Sequence, residues 1–338
     1  MDKRRQPDFE NLANILERRA PKRPTLFEYF LNERLYTRFS GLETPDPQDL
    51  YASASRLAKA FCAAGYDYVT LSCPWIFPSS QPETKLASHS LNHAAVIYDR
   101  ASFDQYPWPD FAAMDDGYID RVAEELPVGM GIVMASSDGI LETATALLGY
   151  DNLCLMLYDD EALVEDIFGR IGGIILAFYK KALTHKRVRA LICNDDWGFH
   201  SQTLIAPNQL RKYVFPWYNE CCKLAHGSGR YTILHSCGAH REILSDIVSM
   251  GFDARHSYED KILPVEEAYR EYAGRIAVVG GIDVDFLCRR SPEEIRERAR
   301  KLLEMTGSVG YALGSGNSIP AYVPDENYMA MTSAALDG

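Results

Sequence analysis

Short runs of apolar, β-prone residues alternate along the chain with longer stretches in which apolar side chains recur every three or four positions. The short runs predict strands, and the longer stretches predict amphipathic helices. Because single strands alternate with single helices, the pattern indicates parallel pairing with right-handed crossover connections. The predicted strands are Tyr68–Leu71, Val128–Ala135, Ala190–Cys193, Tyr231–Leu234, Asp253–Glu259, Ile276–Val279 and Tyr311–Leu313.

These are seven strands, and an eighth could be the segment at Thr25 or the segment at Val96. That number and the length of 338 residues fit a single α/β domain of the (β/α)8 (TIM) barrel type, with a doubly wound sheet as the alternative. We expect the barrel to occupy residues 25–338, after an N-terminal helical extension over residues 1–24. Within the extension, Phe9–Glu17 has the spacing of an amphipathic helix, which we expect at the surface.

Polar residues follow the C-terminal ends of nearly every predicted strand. In a barrel these ends surround one mouth, which is where barrel active sites lie, whereas in an open sheet they would spread along an edge. The distribution therefore favours the barrel. The residues concerned are Asp195, Asp196, His235, Cys237, His256, Glu259, Asp283 and Asn317.

The strand Tyr231–Leu234 runs into His235-Ser236-Cys237-Gly238. Side chains two residues apart on a strand point to the same face, so the imidazole of His235 and the thiol of Cys237 can converge on one point. Neutral imidazole and thiolate together form half of a good zinc site. The alternative is a buried cysteine beside a hydrogen-bonded histidine. The position at a strand end favours the metal.

Asp195 and Asp196 follow the strand Ala190–Cys193 and are candidate catalytic residues. Adjacent residues at a strand end point to opposite faces, so only one of the two easily enters the mouth. One can cap the following turn, while the other acts as a general base, orients the substrate or holds a metal-bound histidine. Two solvated turn carboxylates are the alternative interpretation.

Composition and charge restrict the partners. The net charge of -12 argues against nucleic acid or an anionic membrane, and no apolar run approaches the length of a membrane span. The first eight residues, Met1–Asp8, do not resemble a signal peptide, so we expect a cytoplasmic protein. The eight cysteines are scattered and contain no Cys-x-x-Cys pair, which indicates reduced residues rather than a disulfide framework.

The region from Tyr66 to Pro109 is unusually long for a connection after a strand. From Phe77 onward it is rich in Ser, Pro and Tyr and has little periodicity. Long excursions of this kind usually cover a site. We therefore expect this region to cover the mouth of the barrel.

Four motifs, in order, resemble those of the uroporphyrinogen decarboxylase superfamily. The resemblance runs from about Gly65 to the C-terminus and implies the (β/α)8 barrel. The motifs are Asn194-Asp195-Asp196-Trp197-Gly198, His235-Ser236-Cys237-Gly238, Gly280-Gly281-Ile282-Asp283, and Gly314-Ser315-Gly316-Asn317-Ser318-Ile319-Pro320 followed by Pro324-Asp325-Glu326-Asn327-Tyr328.

Two branches of that superfamily are relevant. Porphyrinogen decarboxylases carry an Arg- and Gly-containing segment near the N-terminus, and Arg18–Pro24 has arginines without that pattern. Zinc-dependent, corrinoid-linked methyltransferases carry His-x-Cys and a later Cys in the last barrel loop. His235 and Cys237 match the first two ligands, but Asn317 stands where the later Cys would be. The chain therefore resembles the methyltransferase branch with an altered metal shell.

The resemblance implies transfer of a methyl group between a small methylated substrate or thiol and a corrinoid, with zinc activating the substrate heteroatom. The chain has no corrinoid-binding Asp-x-His-x-x-Gly motif, so the corrinoid must arrive on a partner protein. The third zinc ligand could be the amide oxygen of Asn317, or a carboxylate from Glu142, Asp196, Glu259 or Asp283. Our candidates for substrate contact are Glu142, Glu259, Asp283 and Asn317.

Two other functions remain open. A metal-free decarboxylase of a carboxylated substrate is the first, although such an enzyme needs basic residues in the mouth and the strand ends here are acidic and polar. The second is a barrel that only binds a ligand, against which the presence of His235 and Cys237 argues.

Overall fold

The computed structural model describes residues 5–72, 77–78, 95–110 and 114–337. Seven strands form one parallel sheet in which the order in space is the order in the chain, and this confirms the predicted alternation. The strands are β1 Tyr68–Ser72, β2 Gly131–Ala135, β3 Val188–Asn194, β4 Tyr231–His235, β5 Ala254–His256, β6 Ala277–Val279 and β7 Tyr311–Ala312.

Segment 25–28 lies beside both outer strands of this curled sheet. Leu26 forms a parallel bridge with Leu313, just after β7. On the other side, the backbone N–H of Glu28 donates to the hydroxyl of Tyr68 in β1 at 2.8 Å. Of the two candidates for the eighth strand, this is the one that joins the sheet. The backbone N–H groups of Val96 and Ile97 instead donate to the carbonyl of Leu147, in the helix Ile140–Leu148.

Helices connect the strands in the predicted alternation. Asp49 caps the start of the helix Leu50–Ala63, and Ser291 with Glu294 forms a capping box at the start of the helix Pro292–Thr306. The helices are α1 Glu10–Leu16, α2 Glu33–Ser40, α3 Leu50–Ala63, α4 Arg100–Gln105, α5 Gly117–Glu125, α6 Ile140–Leu148, α7 Tyr150–Asp159, α8 Glu161–Ala182, α9 Pro207–Gln209, α10 Phe215–Gly227, α11 Leu244–Met250, α12 Val265–Tyr272, α13 Val284–Arg289, α14 Pro292–Thr306 and α15 Asp325–Leu336.

The stretch 207–225 is not one continuous α-helix. A π-helical turn, Leu210–Val214, separates α9 from α10. Pro216 has no N–H with which to continue the regular ladder, and this is the physical reason for the wider turn before it.

Helix α1 is not the surface helix that its spacing suggests. Most of its residues are buried, and the ring of Phe9, just before the helix, packs against Gly131 at the start of β2. The N–H of Phe9 also donates to the carbonyl of Gly129 at 2.8 Å. The helix therefore covers the N-terminal ends of the strands, opposite the polar strand ends.

The prediction for Tyr66–Pro109 falls in part on residues 73–76 and 79–94, which lie outside the described residues, so it stays a prediction. None of the described helices is both long enough and apolar enough to cross a bilayer alone. Helices α6 and α7 reach the required length and apolar content only when they are counted together, and they are bent by 96° relative to each other. Free thiols are found at Cys154, Cys193, Cys221, Cys222, Cys237 and Cys288.

Candidate functional site

The polar strand ends meet because neighbouring strands are parallel and in register. Asn194, the last residue of β3, pairs with His235, the last residue of β4, and His235 pairs with His256 at the end of β5. The residues that follow each strand therefore leave the sheet at one level, on the same rim. This is the rim on which barrel-type enzymes build their active sites.

The loops after β3 and β4 touch through two glycines. Gly238 has a φ of +94°, and a Cβ there would lie 2.2 Å from the carbonyl carbon of Gly198. Across the same contact, the N–H of Ala239 donates to the carbonyl of Phe199 at 2.8 Å. Glycine is therefore required at both motif ends so that the two loops approach closely.

Asp196, His235 and Cys237 form a compact group at this contact. One ligand atom from each lies within 4.8 Å of those of the other two, and Nε2 of His235 is 4.0 Å from Sγ of Cys237. The backbone N–H of Cys237 donates to Oδ1 of Asp196 at 2.7 Å, which orients the carboxylate toward the thiol. The structure thus brings the two predicted metal ligands together with Asp196, one of the carboxylates named above as candidates for the third ligand.

A chain of hydrogen bonds determines which nitrogen of His235 is free. Nε2 of His256 lies 3.1 Å from the carbonyl oxygen of Ser315, which can only accept, so this nitrogen carries the proton. Nδ1 of neutral His256 then accepts from Nδ1 of His235 at 2.8 Å. Burial lowers the pKa of both imidazoles, that of His256 to about 4, which keeps them neutral. The lone pair of His235 therefore lies on Nε2, the nitrogen that faces Cys237.

The thiol of Cys237 has two further polar neighbours. Nδ2 of Asn317 donates to Sγ at 3.3 Å, and Oγ of Ser257 lies 3.7 Å from it. Burial, and then the negative charge of Asp196, raise the pKa of this thiol well above its usual range. Sulfur and carboxylate thus repel each other when both are ionised, and a cation between them would relieve that repulsion.

Asp195 has a different environment from its neighbour. It is fully buried, and its carboxylate accepts from the backbone N–H groups of Leu141 and Glu142, both at 3.0 Å, and from the indole of Trp197 at 2.8 Å. It therefore caps the start of α6 from another part of the chain. Burial raises the pKa of Asp195 to about 7, while these hydrogen bonds oppose the shift. The structure places this candidate catalytic residue in a capping position.

Asp283 caps a helix as well. Its Oδ1 accepts from the N–H groups of Asp285 and Phe286 at the start of α13, and its Oδ2 accepts from the N–H of Asp260 at 2.8 Å. Both oxygens are engaged by the backbone. The geometry therefore gives Asp283 a role in holding the rim together.

Glu142 is buried beside the metal-ligand candidates. Its Oε2 accepts from the N–H of Gly139 at 3.0 Å and from Nδ2 of Asn194 at 2.7 Å. Burial, and then the charges of Asp196 and Asp195, raise its pKa well above the usual range, which favours the protonated form.

A cavity of about 380 Å³ is lined by Asn317, the residue whose amide donates to Cys237. Glu259, Asp283 and Asn317, three of the four candidate substrate residues, line it together with Tyr322. Partial desolvation, and then the charges of Asp283 and Asp196, raise the pKa of Glu259, whose side chain is still exposed to solvent. Asn317 therefore links this cavity to the thiol.

Two residues of the site were not recognised from sequence. His256 was noted only as a polar residue on a weak strand, although its register with His235 makes it the direct partner of that imidazole. Glu28 is fully buried and accepts from both the N–H and the hydroxyl of Ser315, each at 2.7 Å. The ambiguous segment 25–31 offered no local pattern that would have identified it.

A parallel α/β sheet whose rim brings a carboxylate, an imidazole and a thiol together defines a class: barrel-type enzymes with a candidate metal centre. The sequence comparison then specifies the family. The model of the uroporphyrinogen decarboxylase (URO-D) family matches residues 117–337, and the chain belongs to that family. The matched part contains all eight residues that we singled out as site candidates.

Relatives place the chain near methyltransferases. The methylcobamide:CoM methyltransferase MtaA of Methanosarcina barkeri is 30% identical over 135 residues, which are 40% of this chain and 38% of that protein. A methyltransferase from Methanosarcina mazei shares the fold over 97% of both chains, with a TM-score of 0.75 and 17% identity. A putative vitamin-B12 independent methionine synthase from Listeria monocytogenes shares it at a TM-score of 0.53 and 12% identity, over 94% of this chain and 99% of that one.

Proposed function

We propose that the chain is a methyltransferase that moves a methyl group between a small methylated substrate or thiol and a corrinoid held by a partner protein, with zinc activating the substrate heteroatom. The observation that carries the proposal is the convergence of Asp196, His235 and Cys237 within 4.8 Å on the rim of the sheet. The similarity to a methylcobamide:CoM methyltransferase over 38% of its length supports the same reaction class.

The three side chains fit zinc by their chemistry. Thiolate, imidazole and carboxylate are all zinc ligands, and three protein ligands with one open position are typical of a catalytic site. On a tetrahedral zinc, bonds of about 2.0–2.3 Å place the donor atoms roughly 3.5 Å apart. The donors here lie up to 4.8 Å apart, so modest side-chain adjustments would complete the shell.

In this proposal Asp196 is the third zinc ligand. It replaces the Cys of the last barrel loop in the zinc-dependent methyltransferases that the chain resembles. The amide nitrogen of Asn317 faces Sγ of Cys237, so its oxygen is turned away from the sulfur. Asn317 is therefore better suited to stabilise a thiolate by donating to it than to act as the third ligand.

The remaining residues orient the ligands and the substrate. The carbonyl of Ser315 and the imidazole of His256 keep the lone pair of His235 on Nε2. The 380 Å³ cavity that Asn317 and Glu259 line accommodates the substrate beside Cys237. When bound, zinc would supply a Lewis acid that stabilises negative charge on the heteroatom that gains or loses the methyl group.

Segment 25–28 completes the barrel in this proposal. Its bridge to Leu313 and its hydrogen bond to the side chain of Tyr68 support this role. The partner protein must bring the corrinoid to the open rim, since the chain has no Asp-x-His-x-x-Gly motif of its own.

The test is the zinc content of the purified chain after reconstitution with excess zinc and desalting. We expect close to one zinc per chain for the wild type and none for Cys237→Ala, and methyl transfer from free methylcobalamin to 2-mercaptoethanol should be lost with the metal. Cys237→Ala should unfold at nearly the wild-type temperature, because losing one partly buried sulfur costs on the order of 1 kcal/mol. Cys288→Ala, at another half-buried cysteine, is the matched control and should keep both zinc and activity.

A wild-type chain that retains no zinc and still transfers methyl groups would overturn the role of the metal. A chain that retains no zinc, transfers no methyl group and releases carbon dioxide from a carboxylated substrate would instead support the decarboxylase alternative.

A further inference from the structure

A second cavity, of about 230 Å³, lies between the loops that follow β4 and β5. Four of its lining residues are arginines or histidines, and Ser257 and Glu259 are also part of its wall. The four are His200, His240, Arg241 and Arg255. A concentration of basic residues stands out in a chain whose net charge is -12.

Arg255 is the buried member of this group, with an exposed fraction of 4%. His256 points toward His235, so Arg255, one residue earlier on the same strand, projects from the opposite face of the sheet. Its Nη2 donates to Nδ1 of His240 at 2.8 Å, and its guanidinium carbon lies 4.7 Å from the centre of the Tyr258 ring. Both contacts hold the side chain at the cavity wall.

The guanidinium of Arg255 has no anionic partner within the described residues. No carboxylate among them lies within ion-pair distance, and its Nε is buried without a hydrogen-bond acceptor. An arginine keeps its positive charge in a protein. A buried charge and a buried donor without partners are costly, and folded proteins rarely leave both in one side chain.

His240 does not neutralise this charge. Its Nδ1 accepts from Arg255, so its proton is on Nε2, which donates to the hydroxyl of Ser236 at 2.9 Å. Burial, and then the charge of Arg255, lower the pKa of His240 well below its usual range. Glu259 also lines the pocket, but its carboxylate forms no ion pair with Arg255.

We propose that this cavity, which we call the Arg255 pocket, binds the oxyanion group of the small substrate of methyl transfer, whether a sulfonate, a phosphate or a carboxylate. The assignment to the substrate rests on the proposed function, whereas the anion site itself rests on Arg255. Ser257 connects the two places, because it lines the pocket and its Oγ lies 3.7 Å from Sγ of Cys237. A short molecule can therefore place its acidic group in the pocket and its heteroatom near Cys237.

The test is isothermal titration calorimetry of the metal-free chain with ethanesulfonate, inorganic phosphate and acetate, in a chloride-free, uncharged-buffer solution. Arg255→Met removes the charge and keeps most of the side-chain volume. We expect it to weaken the binding of the preferred anion by at least about tenfold, since a desolvated charge-assisted contact is lost. Arg211→Met is the matched control, because this exposed arginine already pairs with Asp246 outside the pocket.

A second variant keeps the test decisive if Arg255→Met fails to fold. Ile262 also lines the pocket, and Ile262→Trp should fill the pocket and abolish anion binding while Arg255 remains. Absence of anion binding to the wild type, or equal binding by Arg211→Met and Ile262→Trp, would overturn the proposal. Preference for ethanesulfonate over phosphate and acetate would point to a substrate with a sulfonate, whereas tightest binding of phosphate would point to a phosphorylated substrate or free phosphate.

The two proposals fail separately. Anion binding without zinc retention would leave the Arg255 pocket intact and overturn the proposed metal centre. Zinc retention without anion binding would support the proposed metal centre and overturn the Arg255 pocket as an anion site.

Discussion

Asp195 and Asp196 are neighbours in the chain and lie in opposite kinds of environment. Asp195 is enclosed by three N–H donors and caps a helix that begins more than 50 residues earlier. Asp196 accepts one backbone N–H, from Cys237, and lies within reach of a thiol and an imidazole. Asp283, at the end of another strand, resembles Asp195, because the backbone engages both of its oxygens.

The difference follows from the donors that surround each carboxylate. The first turn of a helix leaves N–H groups without partners, and a nearby carboxylate satisfies them. An aspartate at a strand end that lies close to the first turn of a helix caps that helix. An aspartate that instead faces a thiol and an imidazole keeps oxygen atoms free to bind a metal. The neighbours of an acidic residue on the rim therefore determine whether it caps a helix or is available to bind a metal or a substrate.

The largest expected effect is the loss of stability in Asp195→Ala. The substitution leaves two buried backbone N–H groups and the indole of Trp197 without an acceptor, which should lower the free energy of unfolding by roughly 4 kcal/mol. Urea denaturation followed by circular dichroism measures it. Asp196→Ala is the matched comparison, and it should cost about 1 kcal/mol or less while abolishing zinc retention. Equal loss of stability in both variants would remove the distinction between the two residues.

A second expectation concerns Glu28, another carboxylate enclosed by hydrogen bonds. Burial raises its pKa in the folded chain to about 8, whereas in the unfolded chain it titrates near its usual value of 4.5. The folded state therefore holds a proton that the unfolded state has lost, and the contribution of Glu28 to stability is full below about pH 4.5 and decreases as the pH rises toward 8. The decrease should be on the order of 3 kcal/mol.

Glu28→Gln should remove this part of the pH dependence, because an amide does not titrate. Two neighbouring titratable groups do not obscure the result. Burial raises the pKa of Tyr68, which bonds the backbone of Glu28, well above its usual value, and it lowers the pKa of His256 to about 4. Urea denaturation of both chains between pH 5 and pH 9 tests the expectation. Parallel pH profiles in the two chains would contradict it.

The smallest expected effect is that of Asp283→Ala. The carboxylate caps α13 and holds the N–H of Asp260, at the surface side of the rim, so its loss should lower the free energy of unfolding by about 1–2 kcal/mol. Zinc retention should stay at the wild-type level, because Asp283 is not part of the ligand group. Loss of zinc in this variant would contradict the capping role and would indicate that Asp283, like Asp196, contributes to metal binding.

Local pattern in the sequence was enough to predict the alternating elements and the rim. Periodicity predicted the seven strands in order, because the signal of each strand lies within the strand itself. The proximity of His235 and Cys237 could be predicted for the same reason, since the geometry of one strand end places them on one face.

Tertiary structure decided which of the strand-end residues meet. The assignment of Asp195 to a cap and of Asp196 to the ligand group depends on where α6 starts relative to the end of β3, which no local pattern encodes. The pairing of His235 with His256 depends on the register of two strands, and the unpaired charge of Arg255 depends on which face of a short strand is covered. Sequence periodicity describes one element at a time, whereas a binding site is made of distances between elements.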